Sequence, residues 1–305
     1  MLSAPASLSM KPADIHLERF EEHRSRLKGI AYRMLGSVSD AEDMVQEAWL
    51  RWSRSDVDGI GNPGSWLTTV VSRLCLDRLK SARARREEYY GTWLPEPFVD
   101  TSAPDPVTAQ AEVDESVSIA LMLMLEKLSP AERAGFLLHD VFGHTFQEIA
   151  GILDRPEVNC RKLVSRARER VRAGRPRFTA SRAEHEDLLR RFLEASRAGE
   201  MEPLMTLLGT DAALYSDGGG KVSALPEVLA DRGKIAAFFI TISREDGPTQ
   251  GFRAIRPAWF NGAPGVLLYL DGQLVTALTL EIAEGRIEKI FAHRNPDKLR
   301  WLAGV

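Results

Sequence analysis

Two cysteines in 305 residues, Cys75 and Cys160, are too few and too far apart to staple a small fold. Both fall in helical patterns without metal-ligand spacing, which argues against a disulfide framework or a zinc site and suits buried thiols in a reducing compartment. No metal and no other cofactor is expected. Long apolar runs are missing too, so nothing in the sequence is fit to cross a bilayer, and no membrane role is expected. The opening residues MLSAPASLSMKPAD lack the basic start and apolar block of a secretory signal. They read as a disordered leader on a cytoplasmic protein. There is no internal repeat, and neither sign of charge dominates, the formal net charge being -3.

What is present is ordinary globular material, 44% hydrophobic and 27% charged, in a chain long enough for two or three domains. The mild net charge conceals segregation. One basic cluster contains Arg78, Lys80, Arg83, Arg85 and Arg86; another contains Arg155, Arg161, Lys162, Arg166, Arg168, Arg170, Arg172, Arg175 and Arg177. Two basic patches separated by a neutral linker suggest two contacts with one polyanion.

Helical spacing of Phe20, Leu27, Ile30, Ala31, Met34 and Leu35 predicts a first helix, and Ser39 can cap a second beginning in DAEDMVQEAWLRW. The glycine-rich DVDGIGNPGSW is a loop, and a third helix is expected from about Trp66 to Arg86. The prolines of GTWLPEPFVDTSAPDP make a linker. Helices are expected to resume near Val107 and continue to about Arg172. In HEDLLRRFLEASRAG an amphipathic helix ends at Gly199, and MEPLMTLL suggests a short one. The pattern then changes to period two in DAALYSD, FRAIRPAWFN, GVLLYLDG, QLVTALTLEIAEG and RIEKIFAHR. Helices followed by a strand meander make an α+β unit.

The segment TFQEIAGILDRPEVNCRKLVSRARERV reads as a helix ending at Leu153, a tight turn at Asp154, and a second helix with Pro156 in its first turn. Cys160, Val164, Ala167 and Val171 share one face. Glu157, Asn159, Arg161, Lys162, Ser165, Arg166 and Arg168 project outward. Such a second helix can read base edges near its start and hold phosphates further along, with Arg155, Glu157, Asn159, Arg161, Lys162, Arg166 and Arg168 as candidate DNA contacts.

The preceding LSPAERAGFLLHDVFGHTFQEIA resembles the C-terminal promoter-recognition region of bacterial sigma factors of the extracytoplasmic-function group. Independently, AYRMLGSVSDAEDMVQEAWLRW resembles that family's polymerase-docking helix, and GSWLTTVVSRLCLDRLKSARARRE its helix that opens the minus-10 element. The resemblance covers residues 14 to 173. It implies an all-α region 2 over 14–88, a linker over 89–108, and an all-α region 4 with the helix-turn-helix over 109–174. It also implies core RNA polymerase and promoter DNA as partners. Asp40, Glu42, Asp43, Gln46 and Glu47 would face polymerase beside the aromatic anchor Trp49. Trp66, Arg73, Arg78, Lys80, Arg83 and Arg86 would serve the minus-10 element, whose melting needs cations for the backbone and a pocket for an unstacked base. Arg73 stands where many relatives carry asparagine, so base choice there is not carried over.

Residues 184 to 294 resemble a SnoaL-like domain of the nuclear-transport-factor-2-like superfamily, a cone of curved sheet over helices, within a C-terminal unit spanning 180–305. Sigma factors with this extension form a self-regulated subgroup, often numbered 41. Three of its motifs stand here unsubstituted: Trp93, Leu94, Pro95, Glu96 and Pro97; Asp217, Gly218, Gly219, Gly220 and Lys221; and Asn295, Pro296, Asp297, Lys298 and Leu299. The resemblance implies that the domain docks within its own chain, so that no separate anti-sigma protein is required. DGGGK itself admits a phosphate loop, a hairpin turn, or a docking turn that receives the stiff apolar WLPEP; Val222 after Lys221 counts against the first. Two other roles remain for the cone, binding a small ligand or catalysis through Asp217 and His293, although no enzyme is expected. A helix-turn-helix repressor acting without polymerase would leave residues 65 to 86 without a task.

Overall fold

The computed structural model describes residues 12–56, 59–87, 89–98, 118–174, 180–244 and 254–302. The expected leader, much of the linker and the predicted helix start near Val107 lie outside them. The described chain forms two compact units, one of residues 1–80 with 130–164 and the other of 81–129 with 165–305.

In the first unit, α1 (Pro12–Leu35) and α2 (Val38–Trp52) form an antiparallel hairpin-like pair through Gly36, whose φ of 68 suits the tight exit from α1. Leu27, Ile30, Ala31, Met34 and Leu35 are buried with Val38, Ala41, Val45, Ala48 and Trp52. Ser37, not Ser39, caps α2: its backbone is extended and its hydroxyl accepts from the Asp40 amide. α3 (Pro63–Glu87) starts three residues before the expected Trp66, because Pro63 is tolerated in a first turn and the Asn62 side chain accepts from the Ser65 amide. α5 (Pro130–Phe136) widens into a π turn at Leu137–Val141. α6 (Phe146–Leu153) follows, opened by a capping box between Thr145 and Glu148.

Asp154, at φ 51, makes the left-handed exit from α6, and α7 (Glu157–Gly174) begins beyond it. Pro156 stands just outside the helix; its carbonyl accepts from Asn159 and Cys160, so it precedes the first turn. The buried Arg133 guanidinium donates to the Arg33 carbonyl at 3.0 Å, satisfying an end of α1. Burial lowers Arg133 to about 9 and pushes the neighbouring Cys75 thiol up.

In the second unit, α8 (Arg182–Ala198) ends at Gly199 in the left-handed region and leads to α9 (Met201–Leu207). The sheet comprises β1 (Leu208–Asp217), β2 (Ala254–Phe260), β3 (Ala263–Leu270), β4 (Gln273–Ala283) and β5 (Arg286–His293), in the order β1-β5-β4-β3-β2. The last four are an antiparallel meander, while β1 lies parallel to β5 and aligns Asp217 with His293. One face packs Leu214, Leu268, Leu278, Leu280 and Ile290 against Leu189 and Phe192 of α8, Leu204 of α9, and Phe239 of α10 (Arg232–Ser243). The sequence reading missed α10, whose KIAAFFITIS core is apolar almost all round and shows no helical stripe. The opposite face meets Leu94 with Ile119 and Ala120 of α4 (Ile119–Glu126), and Leu299 of α11 (Pro296–Leu299). α4, which the sequence assigns to the same segment as the helix-turn-helix, packs through Ile119 and Ala120 against Leu94 and Phe291.

Candidate functional site

Asp217 closes β1 with no exposed surface, an expensive position for a carboxylate unless its lone pairs are filled. They are filled from three parts of the chain. Oδ1 accepts from the Tyr89 hydroxyl at 2.6 Å and the Gly219 amide at 3.1 Å; Oδ2 accepts from the Leu94 amide at 2.9 Å and from Lys298 Nζ at 2.7 Å. Lys298, itself buried, also donates to the Leu94 carbonyl at 2.5 Å and sits 4.5 Å over the Trp93 ring. An ammonium in that position recovers its lost hydration through one carboxylate, one carbonyl and an aromatic face.

The glycines after Asp217 explain themselves by contact. A Cβ on Gly218 would meet the Val222 carbonyl oxygen at 2.5 Å. One on Gly219, at φ 61, would fall 2.2 Å from Asn295 Nδ2. The backbone carbonyl of Asp217 accepts from Arg294 and Asn295. Asn295 then caps α11 by accepting from Asp297 and donates to Tyr89 at 2.9 Å, while Pro296 opens the turn and Leu299 is buried beneath it. Asp217 and Lys221, expected to be paired charges at the edges of one motif, instead reach separate partners: Asp217 meets Lys298, and Lys221 meets Asp297 at 2.5 Å. β1 runs into a turn rather than a helix, so the phosphate-loop form of DGGGK is not present; beyond the turn the chain comes back antiparallel to β1 at a single bridge, Leu214 with Leu229, which exchange backbone bonds at 2.9 and 3.0 Å.

The WLPEP segment is held at further points. His293 Nε2 lies 3.0 Å from the Pro95 carbonyl, and burial lowers this histidine to about 4, keeping the ring neutral and able to donate there. Leu94, Pro95, Glu96 and Pro97 are buried. Beyond them Phe98 exchanges bonds with Asn261, accepting from its amide at 2.8 Å and donating to its side chain at 3.0 Å. Tyr89, Phe98, Asn261 and the role of His293 toward Pro95 were not read from the sequence. The Asn-Gly pair at 261–262 marked a turn but carried no sign of a linker contact. Both Asp217 oxygens are thus engaged, and His293 Nε2 is turned to the linker carbonyl.

In the first unit the predicted polymerase-facing residues divide. Asp43 and Gln46 are exposed; Glu47 pairs with Arg51 at 3.0 Å and Glu42 with Lys28 at 2.5 Å. Asp40 and Arg78 are both half-buried and pair with each other. Trp49 lies edge-on to Phe20, centroids 5.1 Å apart, while Leu50 is the exposed apolar residue on this helix. Trp66 is half-buried 5.5 Å from Trp52. Arg73 donates to the Gly151 and Ile152 carbonyls at 2.7 and 3.3 Å, and Lys80 pairs with Asp77 at 2.8 Å. Arg83 and Arg86 fall in α3, but their side chains lie outside the described residues.

On α7, Cys160, Leu163, Val164, Ala167 and Val171 are buried. Arg155, Glu157, Asn159, Lys162 and Arg166 are exposed, and Arg168 is half-buried. Arg161 pairs with Glu157 at 2.5 Å, and its guanidinium lies 4.4 Å over the Phe146 ring.

The family model described as Sigma-70 region 2 matches residues 19–85, and that described as Sigma-70, region 4 matches residues 118–171. The chain is 38% identical over 296 residues to the ECF RNA polymerase sigma factor SigJ of Mycobacterium tuberculosis, covering 93% of each protein. It is 35% identical to the probable ECF RNA polymerase sigma factor SigI of the same species over 282 residues, covering 91% of this chain and 92% of that one. The crystal structure of the M. tuberculosis extracytoplasmic function sigma factor SigJ superposes with a TM-score of 0.74 at 34% identity, covering 93% of this chain and 98% of that one.

Proposed function

The chain belongs to the extracytoplasmic-function RNA polymerase sigma factors, and from that premise we propose that its C-terminal domain regulates transcription in cis by gripping the linker between regions 2 and 4. The sigma regions bind core RNA polymerase and recognise promoter DNA. Residues 14–88 act as region 2 at the minus-10 element, 109–174 as region 4 at the minus-35 element, and 180–305 as the regulatory domain. The protein works where polymerase and promoters are, in the cytoplasm, as an initiation factor and not an enzyme.

The observation that carries the regulatory reading is the buried bonding of Asp217 and Lys298 to both backbone groups of Leu94. A linker held this way is shortened. The chain leaves the first unit after Lys80 and returns to it at Pro130, so fixing Tyr89 to Phe98 restrains the segment that joins the two promoter readers. Tethering gives such a contact an effective concentration in the millimolar range, so modest affinity suffices and a separate anti-sigma protein is not required. The same bonds engage Asp217 and His293, the two side chains that a catalytic reading of the cone would use.

The test is promoter-dependent run-off transcription with core polymerase, comparing the full chain, a truncation after Phe178, and Asp217→Asn. We expect Asp217→Asn to change transcription several-fold and to abolish cross-linking between a probe at position 93 and the C-terminal domain. Unchanged transcription and cross-linking would overturn regulation through this grip.

A further inference from the structure

Val158 is 62% exposed in the first turn of α7, the helix that the sigma-factor reading places in the major groove. Isolated exposed apolar residues are common and usually mean nothing. This one differs in where it points. At about 100° per residue, the buried seam of Cys160, Leu163, Val164, Ala167 and Val171 fixes an inward direction, and Val158 lies within roughly 20° of the outward pole opposite it. Its neighbours across that outward surface are Asn159, Lys162, Ser165 and Arg166, all polar and exposed. The sequence reading selected only the charged and amide side chains here and passed over the valine between Glu157 and Asn159.

Local structure does not call for valine. A β-branched residue restricts χ1 in a helix and serves an exposed turn less well than alanine, so the fold draws no benefit from it. Arg161, by contrast, is folded back onto Glu157 and Phe146, away from the pole. The residues opening a recognition helix meet base edges, and an apolar side chain among them matches one major-groove feature, the C5-methyl of thymine.

We propose that Val158 reads a thymine methyl group in the minus-35 element. The inference rests on region 4 entering the major groove, and the experiment keeps the two separable. Holoenzyme assembled from the full chain and core polymerase selects a preferred duplex from a library randomised over the minus-35 element. Each thymine of that duplex is then replaced in turn by deoxyuridine, which removes only the methyl. At one position, deoxyuridine should weaken wild-type binding about four-fold, the worth of one buried methyl, and leave Val158→Ala unaffected. On the unmodified duplex, Val158→Ala should show the same about four-fold loss while assembling with core polymerase normally, since alanine is the better helix former.

Deoxyuridine effects of equal size in wild type and variant would assign the methyl to another residue and overturn the proposal. So would the absence of any deoxyuridine effect, or a loss in Val158→Ala that appears at the polymerase-assembly step. Failure of the library to yield any minus-35 preference would instead strike at the major-groove role of α7.

Discussion

His293 and Asp217 stand side by side at the ends of β5 and β1, yet burial affects them through different neighbours. Asp217 has Lys298 against it, whereas His293 faces Asp217, Lys298 and the Pro95 carbonyl as a neutral ring lowered to about 4. An unfolded chain protonates this histidine near its ordinary value of 6.5. Between those values the unfolded state therefore binds more protons, so the contribution is complete above 6.5 and is lost as pH falls toward 4. His185, also lowered to about 4 by burial, has the same sign. We expect each to cost about 2 kcal/mol by about pH 5. Hydrogen exchange of β1 and β5 amides in the full chain, corrected for intrinsic rates, should show that loss. His293→Gln should be less stable at neutral pH but lose about half as much on acidification; an unchanged acid response would remove His293 from the account.

The elements differ in how openly their sequences declared them. The helix-turn-helix was legible because its signals agree: a helix ending at Leu153, a tight turn at Asp154, Pro156 beside the next helix, and apolar spacing along α7. α10 was hidden because its apolar residues leave no polar stripe. In the candidate site, the motif residues could be named in advance, but their partners could not. Tyr89 and Phe98 reach partners more than a hundred residues away, Asp217 at the end of β1 and Asn261 in the turn between β2 and β3, and no local pattern announces either pairing. α2 gives a similar lesson: Trp49, expected as the aromatic anchor, is half-buried against Phe20, and Leu50, not among the residues read from the sequence, shares the outer surface with Asp43 and Gln46. We therefore expect Leu50→Glu to weaken core-polymerase association at least about ten-fold, as loss of an apolar hot spot does, with little change in stability. Trp49→Ala should mainly destabilise the α1 and α2 pair. Fluorescence anisotropy against core polymerase, together with thermal melts, separates these outcomes; normal binding by Leu50→Glu would exclude that surface.

At the scale of the whole molecule, geometry conflicts with simultaneous promoter contact in the described state. Minus-10 and minus-35 elements are separated by about 25 base pairs, roughly 85 Å of duplex at 3.4 Å per pair. The first compact unit contains most of α3 and the opening of α7, and a unit of its length has a radius of gyration of about 13 Å. It must open for one chain to engage both elements. Arg73 is a contact that opening breaks, since it satisfies the Gly151 and Ile152 carbonyls at the end of α6. A covalent link there should hold the unit shut. Position 151 accepts a side chain, because a Cβ on Gly151 meets nothing within 4 Å, while the native Cys75 and Cys160 are buried away from reagents. Arg73→Cys with Gly151→Cys, bridged by a short reducible bis-maleimide, should lose promoter-dependent transcription at least about ten-fold relative to the same protein blocked with a monofunctional maleimide, a cost of about 1.4 kcal/mol or more. Reduction of the bridge should restore it to the blocked protein's level. Because both proteins lack the Arg73 guanidinium, the comparison isolates opening from any DNA contact made by that side chain. If the bridged protein transcribed as well as the blocked one, separation of α3 from α6 would not be required, and the grip on the linker would have to act by some route other than limiting that separation.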